Sequence, residues 1–141
     1  MSEKGLAVVT GASGGIGYEL AKLLAADGFP LVLVARSREK LETIAQKFTK
    51  DYGVQLTPRV GDLSMPLAAT ELARSLLAED RAIEVLINNA GIGTYGPYVE
   101  QPLPKILELL QLNMVALTEL THHLLPQMIQ RKHGYVMNVS S

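Results

Sequence analysis

The 141-residue chain has no cysteine, which excludes disulfides, thiolate nucleophiles and cysteine metal ligands. That absence fits a reducing compartment, and the cytoplasm is the expected location. Net charge is nearly absent too, with 13 Lys and Arg against 14 Asp and Glu for a formal −1. No broad field draws the chain toward nucleic acid or an anionic membrane surface, so neither is expected as a partner and any anion site must be local. Long apolar runs are also missing. Nothing approaches the roughly 18 residues of a membrane span, and the short run after Met1-Ser2-Glu3-Lys4 is too brief for a signal segment. No repeat and no linker of useful length divides the sequence, whose 48% hydrophobic content supplies material for one sizeable core. A single domain over residues 1–141 is therefore expected.

Short apolar stretches at residues 6–10, 31–35, 55–60, 85–88 and 135–139 alternate with segments of helical period. The alternation predicts βαβ units and an α/β fold with a parallel sheet. Leu41, Ile44, Ala45 and Phe48 mark the core face of one helix, and Ala69, Leu72, Ala73, Leu76 and Leu77 that of another. Ser37 and Ser64 are expected N-caps, while Gly28 and Gly53 fall where helices end. A longer helical region runs from about Lys105 to Arg131 after Pro102 and Pro104, divisible into two helices, with Pro126 as a site for a kink. Its apolar residues cover two faces, Leu117, Leu120, Leu124 and Met128 on one and Met114, Leu125 and Ile129 on the other. Such a helix needs a second partner besides the sheet.

The most specific local signal is Thr10-Gly11-Ala12-Ser13-Gly14-Gly15-Ile16-Gly17, placed directly after the first strand and opening the first helix. Glycines there let backbone N–H groups approach an anion without Cβ obstruction, and the helix N-terminus adds partial positive charge. Nucleotide binding is the expected function of this turn. It lacks the Gly-Lys-Ser/Thr ending that contacts terminal phosphates and magnesium, which argues against a phosphate-hydrolysing enzyme. After the second strand stand Ala35, Arg36 and Ser37, with no acid to receive the adenosine ribose hydroxyls. Arginine instead offers a planar donor array for a 2′-phosphate, so NADP is expected in preference to NAD. The same feature argues against a methyl-donor-binding domain.

The remaining strands end in Gly61-Asp62-Leu63-Ser64, Asn88-Asn89-Ala90-Gly91 and Asn138-Val139-Ser140-Ser141. Together with Asn113 and the glycine turn, these motifs, in this order and over essentially the whole chain, resemble the short-chain dehydrogenase/reductase family. The resemblance implies a dinucleotide-binding domain whose phosphates are held by Thr10, Gly11, Ser13, Gly14, Gly15, Ile16 and Gly17, with Arg36 and Ser37 at the 2′-phosphate. Asp62 and Leu63 would flank the adenine, and Asn89, Ala90 and Gly91 the ribose and cofactor backbone. Asn88 would hold the central strands together. Asn113 would shape a proton-relay region, and Ser141 would orient and polarise a substrate carbonyl.

The family's acid–base pair is a Tyr-x-x-x-Lys after that serine. Here the spacing occurs once, at Tyr18 and Lys22 on the first helix, and not at the end of the fifth strand. The expectation is thus a Rossmann-like, three-layer, doubly wound parallel sheet of strand order 3-2-1-4-5, truncated after the fifth strand. Its function would be that of an NADP-dependent oxidoreductase acting on a small-molecule carbonyl or alcohol substrate, the chain alone being inactive. The alternative is a non-catalytic nucleotide-binding fragment or module. Self-association through the long helix and the exposed fifth strand, as a homo-oligomer, is expected. Adjacent His122 and His123 diverge by about 100° on a helix and do not make a metal pair, so no metal site is expected. The loop 92–98 is a surface connection to which no chemistry is assigned.

Overall fold

Stretches rich in leucine and β-branched residues become the strands β1 (Leu6–Thr10), β2 (Leu31–Ala35), β3 (Leu56–Val60), β4 (Ile83–Asn88) and β5 (Tyr135–Asn138) of a computed structural model that describes residues 4–140. All neighbouring strands pair in parallel, in the order β3-β2-β1-β4-β5. The expected order is therefore the observed one, and the reversal of strand order between β1 and β4, which remain parallel, creates the switch point at which ligands of such sheets bind.

Helices α1 (Gly15–Ala26), α2 (Arg38–Tyr52), α3 (Ala68–Ala78), α4 (Leu103–Leu110) and α5 (Ala116–Arg131) supply the connections. Strand side chains alternate between two cores, as a pleated sheet requires. Ala7, Val9, Leu31 and Leu33 join Ala21 and Ala25 of α1 and Leu41, Ile44 and Phe48 of α2 on one face. Leu6, Val8, Val32 and Val34 join Ala73 and Leu76 of α3 and Leu120, Leu124 and Met128 of α5 on the other. That is the three-layer arrangement.

Local chemistry sets the helix ends. The Ser37 hydroxyl accepts from Lys40 N–H at 3.3 Å as the N-cap of α2, and Gly53 closes that helix at φ 68°, a left-handed conformation that suits glycine. Ser64 does not cap α3, contrary to the sequence expectation. Asp62 Oδ1 accepts instead from its N–H at 3.0 Å and its hydroxyl at 2.6 Å, and α3 begins only at Ala68. The long helical region divides at a π-helical turn, Gln111–Val115, rather than at Pro126, which lies inside α5. Of the first expected face, Leu120, Leu124 and Met128 are buried and Leu117 is half-buried, with Ala116 buried beside them; of the second, half-buried Leu125 packs on the same core, whereas Met114 and Ile129 are exposed. Among the described residues, no helix is long and apolar enough to cross a membrane.

Candidate nucleotide site at the switch point

Thr10, the last residue of β1, is buried and makes the junction that shapes the site. Its hydroxyl donates to the Ile87 carbonyl at 3.3 Å and accepts from the backbone N–H groups of Asn89 at 3.0 Å and Ala90 at 2.9 Å. The Asn89 amide then donates to the Gly11 carbonyl at 3.0 Å. Two strand ends, 79 residues apart in sequence, are locked together across the switch point. All of this leaves no room for side chains. Gly11 adopts φ +63°, and a Cβ there would stand 2.9 Å from Ala90 Cα. A Cβ on Gly17 would collide with the Asn89 amide and the Gly11 carbonyl oxygen. Gly17 is thus needed to bring α1 against the strand ends.

The helix so placed opens with an unused N-terminus. Gly14 is its N-cap, no side chain caps it, and its first turn holds no acid. Around Gly14 and Gly15 no atom lies within 4 Å of where a Cβ would stand. The first-turn N–H groups have no intrahelical acceptor and carry the positive end of the helix dipole, and Ser13 and Gly14 beside them line a cleft.

A cleft of about 290 Å³ runs from this turn across the ends of β2, β3 and β4, bringing together Ser13, Gly14, Arg36, Asp62, Ala90 and Gly91 of the sequence-predicted set. Gly11 and Leu63 also line it, Leu63 from a buried position. Thr10 and Gly17 act from beneath, Asn89 braces the turn, and Ser37 spends its hydroxyl on the helix cap. Ile16 is exposed on the first turn of α1. Residues of the lining that the predicted site set lacked are Ala35, Gly61, Val34, Ile92 and Leu112. The first two were legible as strand-end neighbours of Arg36 and Asp62, whereas no local signal marks Leu112.

Arg36 is exposed at the cleft's edge and has no ion-pair partner among the described residues. It lies near enough to Asp62 to act on it. The Ser64 hydroxyl, opposed by partial burial and aided by the Ser64 N–H and the Arg36 charge, holds the Asp62 carboxyl below its ordinary value. Asp62 therefore remains an anion with Oδ1 committed to its own turn, facing a cleft whose other charged wall is cationic.

On the β4 side, Asn113 sits in the π-helical turn and grips the chain leaving the strand. Its Oδ1 accepts from Ile92 N–H at 2.9 Å and its Nδ2 donates to the Ile92 carbonyl at 2.7 Å. Asn88, only 3% exposed, donates to Thr121 Oγ1 at 3.1 Å and to Asn138 Oδ1 at 2.9 Å, which ties β5 to β4 and α5. Ser141 lies outside the described residues. Tyr18 is remote in role from this end of the sheet, because its ring packs on Phe48 with centroids 5.4 Å apart. The histidines have structural partners: His123 Nε2 lies 3.2 Å from Thr70 Oγ1, and His133 Nε2 lies 2.6 Å from Glu84 Oε1.

Comparison with known proteins agrees with this architecture. A family described as short chain dehydrogenase matches residues 5–141. A very-long-chain 3-oxoacyl-CoA reductase of Anas platyrhynchos is 37% identical over 96% of this chain and 44% of its own length. An inactive hydroxysteroid dehydrogenase-like protein of Homo sapiens is 33% identical over 96% of this chain and 41% of its own. A short-chain dehydrogenase from Sphingobium yanoikuyae, solved with NADPH, superposes with a TM-score of 0.91 at 35% identity, over 97% of this chain and 53% of that one. The chain thus spans less than half the length of these two curated relatives. With the motifs, the sheet order and the matched residues in agreement, the chain belongs to the short-chain dehydrogenase family.

Proposed function

We propose that the cleft binds NADP(H) and that residues 4–140 form the nucleotide-binding part of an oxidoreductase acting on carbonyl or alcohol substrates. The observation that carries this reading is the pairing, in one cleft, of an uncapped helix N-terminus with an unpaired Arg36 beside neutral Ala35. The first suits a pyrophosphate and the second a 2′-phosphate. The NADPH complex of the Sphingobium relative supports it.

In this reading the N–H groups around Ser13 to Ile16 bind the phosphates, while Asp62 and Leu63 border the adenine. Ala90 and Gly91 allow close approach of the ribose. The nicotinamide, when bound, supplies hydride chemistry at the substrate carbon. Asn113 keeps the β4 loop in place, and Ser141 is the group proposed to orient the substrate oxygen. No Tyr-x-x-x-Lys follows β5 within the 141 residues, so the reading for the chain by itself is cofactor binding without turnover. Its relatives include both a reductase and a protein named inactive, so family membership alone does not decide activity.

Calorimetry tests the proposal. The native chain should bind NADPH about tenfold to a hundredfold more tightly than NADH, the range of one charge-assisted contact of roughly 1.5–3 kcal/mol. Arg36→Ala should abolish the difference. Equal affinities in the native chain would overturn the assignment, and robust NADPH oxidation with aldehydes or ketones would overturn the expectation of no turnover. We further propose self-association through the exposed Leu103, Leu107, Leu110 and Met114 of α4 and the π turn, together with Tyr135 and Met137 of β5. A monomeric mass in solution would refute it.

A further inference from the structure

At the end of the sheet opposite the nucleotide cleft, the entries to β1, β4 and β5 lie side by side, because Leu6 pairs with Ile83 and Val85 with Tyr135. A hollow of about 910 Å³ opens there, and its charged or titratable lining is Lys4, Arg81, Glu84, Arg131 and His133. Three fixed cations thus meet one acid, in a chain whose formal charge is −1. That acid is already committed. Glu84 Oε2 accepts from the Gly5 N–H at 2.6 Å, and Oε1 lies 2.6 Å from His133 Nε2. Lys4 is also paired, to Asp27 Oδ2 at 3.0 Å, outside the lining.

The arginines keep donors to spare. Arg131 donates through Nη1 to Gln127 Oε1 and through Nη2 to the Ile83 carbonyl, contacts that fix its guanidinium plane and use two of its five N–H groups. Arg81 is half-buried and has no ion-pair partner among the described residues. A helix end favours a nearby cation, but the closing carbonyls of the helices at this end are already served by backbone. Those of α5 accept from the Lys132 and His133 N–H groups at 3.0 and 3.1 Å, and those of α3 from Glu79 and Asp80 at 3.3 and 3.2 Å. Arg131 turns to a strand carbonyl instead.

Size and lining select the ligand. The hollow is much larger than one phosphate ion, and Leu6, Pro30 and Ala82 add apolar wall beside the cations. Guanidinium groups meet phosphate oxygens through planar, two-pronged contacts. We propose that this hollow is a second anion site, separate from the nucleotide cleft, which takes a small soluble molecule carrying at least two phosphate groups. Arg81 and Arg131 make the main contacts, and Lys4 adds charge at the rim.

Amide nitrogen-15 spectra of the 141-residue chain, titrated with tripolyphosphate, test the site. The amides of Gly5, Ala82, Glu84 and His133 should shift saturably. Arg81→Ala should weaken that binding at least about tenfold, the effect of losing one charge-assisted contact, while Arg81→Lys should weaken it less. Should Arg81→Ala lose its native circular dichroism, Lys4→Gln at an exposed position gives a second reading, with an expected loss of about threefold. Fructose 1,6-bisphosphate should displace the tripolyphosphate from the same amides. Shifts confined to residues 11–17 would put the anion in the cleft and overturn the proposal. An equal response to sulfate, or undiminished affinity in a folded Arg81→Ala variant, would do the same. Retention of the chain on vesicles containing phosphatidylinositol bisphosphate, lost with Arg81→Ala, would assign the phosphates to a lipid headgroup and overturn the soluble ligand.

Discussion

β1 and β5 are strands of one parallel sheet, but they are held differently. No residue of β1 is more than 2% exposed, and its last side chain is hydrogen-bonded on three sides within the protein. In β5, Tyr135 is 62% exposed and Met137 47%, and the strand pairs on one edge only. Its anchors are polar and sit at its two ends, Asn138 on Asn88 at the top and the approach residue His133 on Glu84 at the base. The β1 end of the cleft is thus built on burial and on hydrogen bonds to backbone. β5 rests on its ladder with β4, on half-buried Val136 and on a few side-chain contacts at its ends, where a single substitution is expected to change position more than global stability.

The comparison predicts its largest effect at Thr10. Thr10→Val keeps the volume but orphans the N–H groups of Asn89 and Ala90, which should cost about 2–4 kcal/mol and weaken NADP(H) binding with it. Urea unfolding measures the first quantity and calorimetry the second; a loss under about 1 kcal/mol would mean the two strand ends do not depend on this hydroxyl. A smaller effect is expected from Asn113→Ala, which removes both contacts to Ile92 and should cost about 1–2 kcal/mol. Exchange of the amides at residues 92–95 should accelerate while that of β1 stays unchanged, and uniform acceleration would dissolve the distinction between the regions.

Next in size is the base of β5. Burial pushes the Glu84 carboxyl up, but hydrogen bonds from His133 and the Gly5 N–H, with the charges of His133 and Lys4, outweigh it and leave its value lowered. A carboxyl depressed by folding contributes stability that is present above its unfolded value of about 4.3 and is lost as the pH falls through the lower folded value. Glu84→Gln should therefore cost roughly 1 kcal/mol near neutrality, and the gap to the native chain should close on acidification. A gap that persists below the carboxylate range, where Glu84 is protonated, would reverse the assignment. The smallest effect belongs to the open face of β5: Met137→Ala should shift stability by less than about 0.5 kcal/mol, against about 2 kcal/mol for Val9→Ala in β1. Similar losses at both sites would show that β5 is covered in solution.

Much of this was legible in the sequence, for a physical reason: periodicity and turn chemistry are local. The five strands, the glycine turn, the Ser37 cap and the place of Arg36 follow from residues read a few at a time, whereas the sheet order and the place of Asp62 come from the motifs taken together, through the family they resemble. What was hidden depends on distant partners. Nothing near Thr10 says that its hydroxyl serves N–H groups 79 and 80 residues away. Ser64 has the composition of an N-cap, yet Asp62 two residues earlier takes both its donors. The apolar pattern over 105–131 indicates a long helix but not where its winding changes, because a π turn is selected by what Asn113 reaches across to hold.

That turn also makes the length of the helix a structural quantity. A π segment contains an extra residue relative to the regular α ladder, as though an insertion had been absorbed without a loop. Deleting one residue between 111 and 115 would restore ordinary winding and leave α5 seated on the sheet through Leu120, Leu124 and Met128. Because the π turn takes up one more residue over nearly the same rotation, α4 would keep its heading, and what would be lost is the displaced residue that carries the Asn113 amide to Ile92. Surface loops absorb such changes of length with little effect on a site; here the extra residue is itself what holds the chain leaving β4.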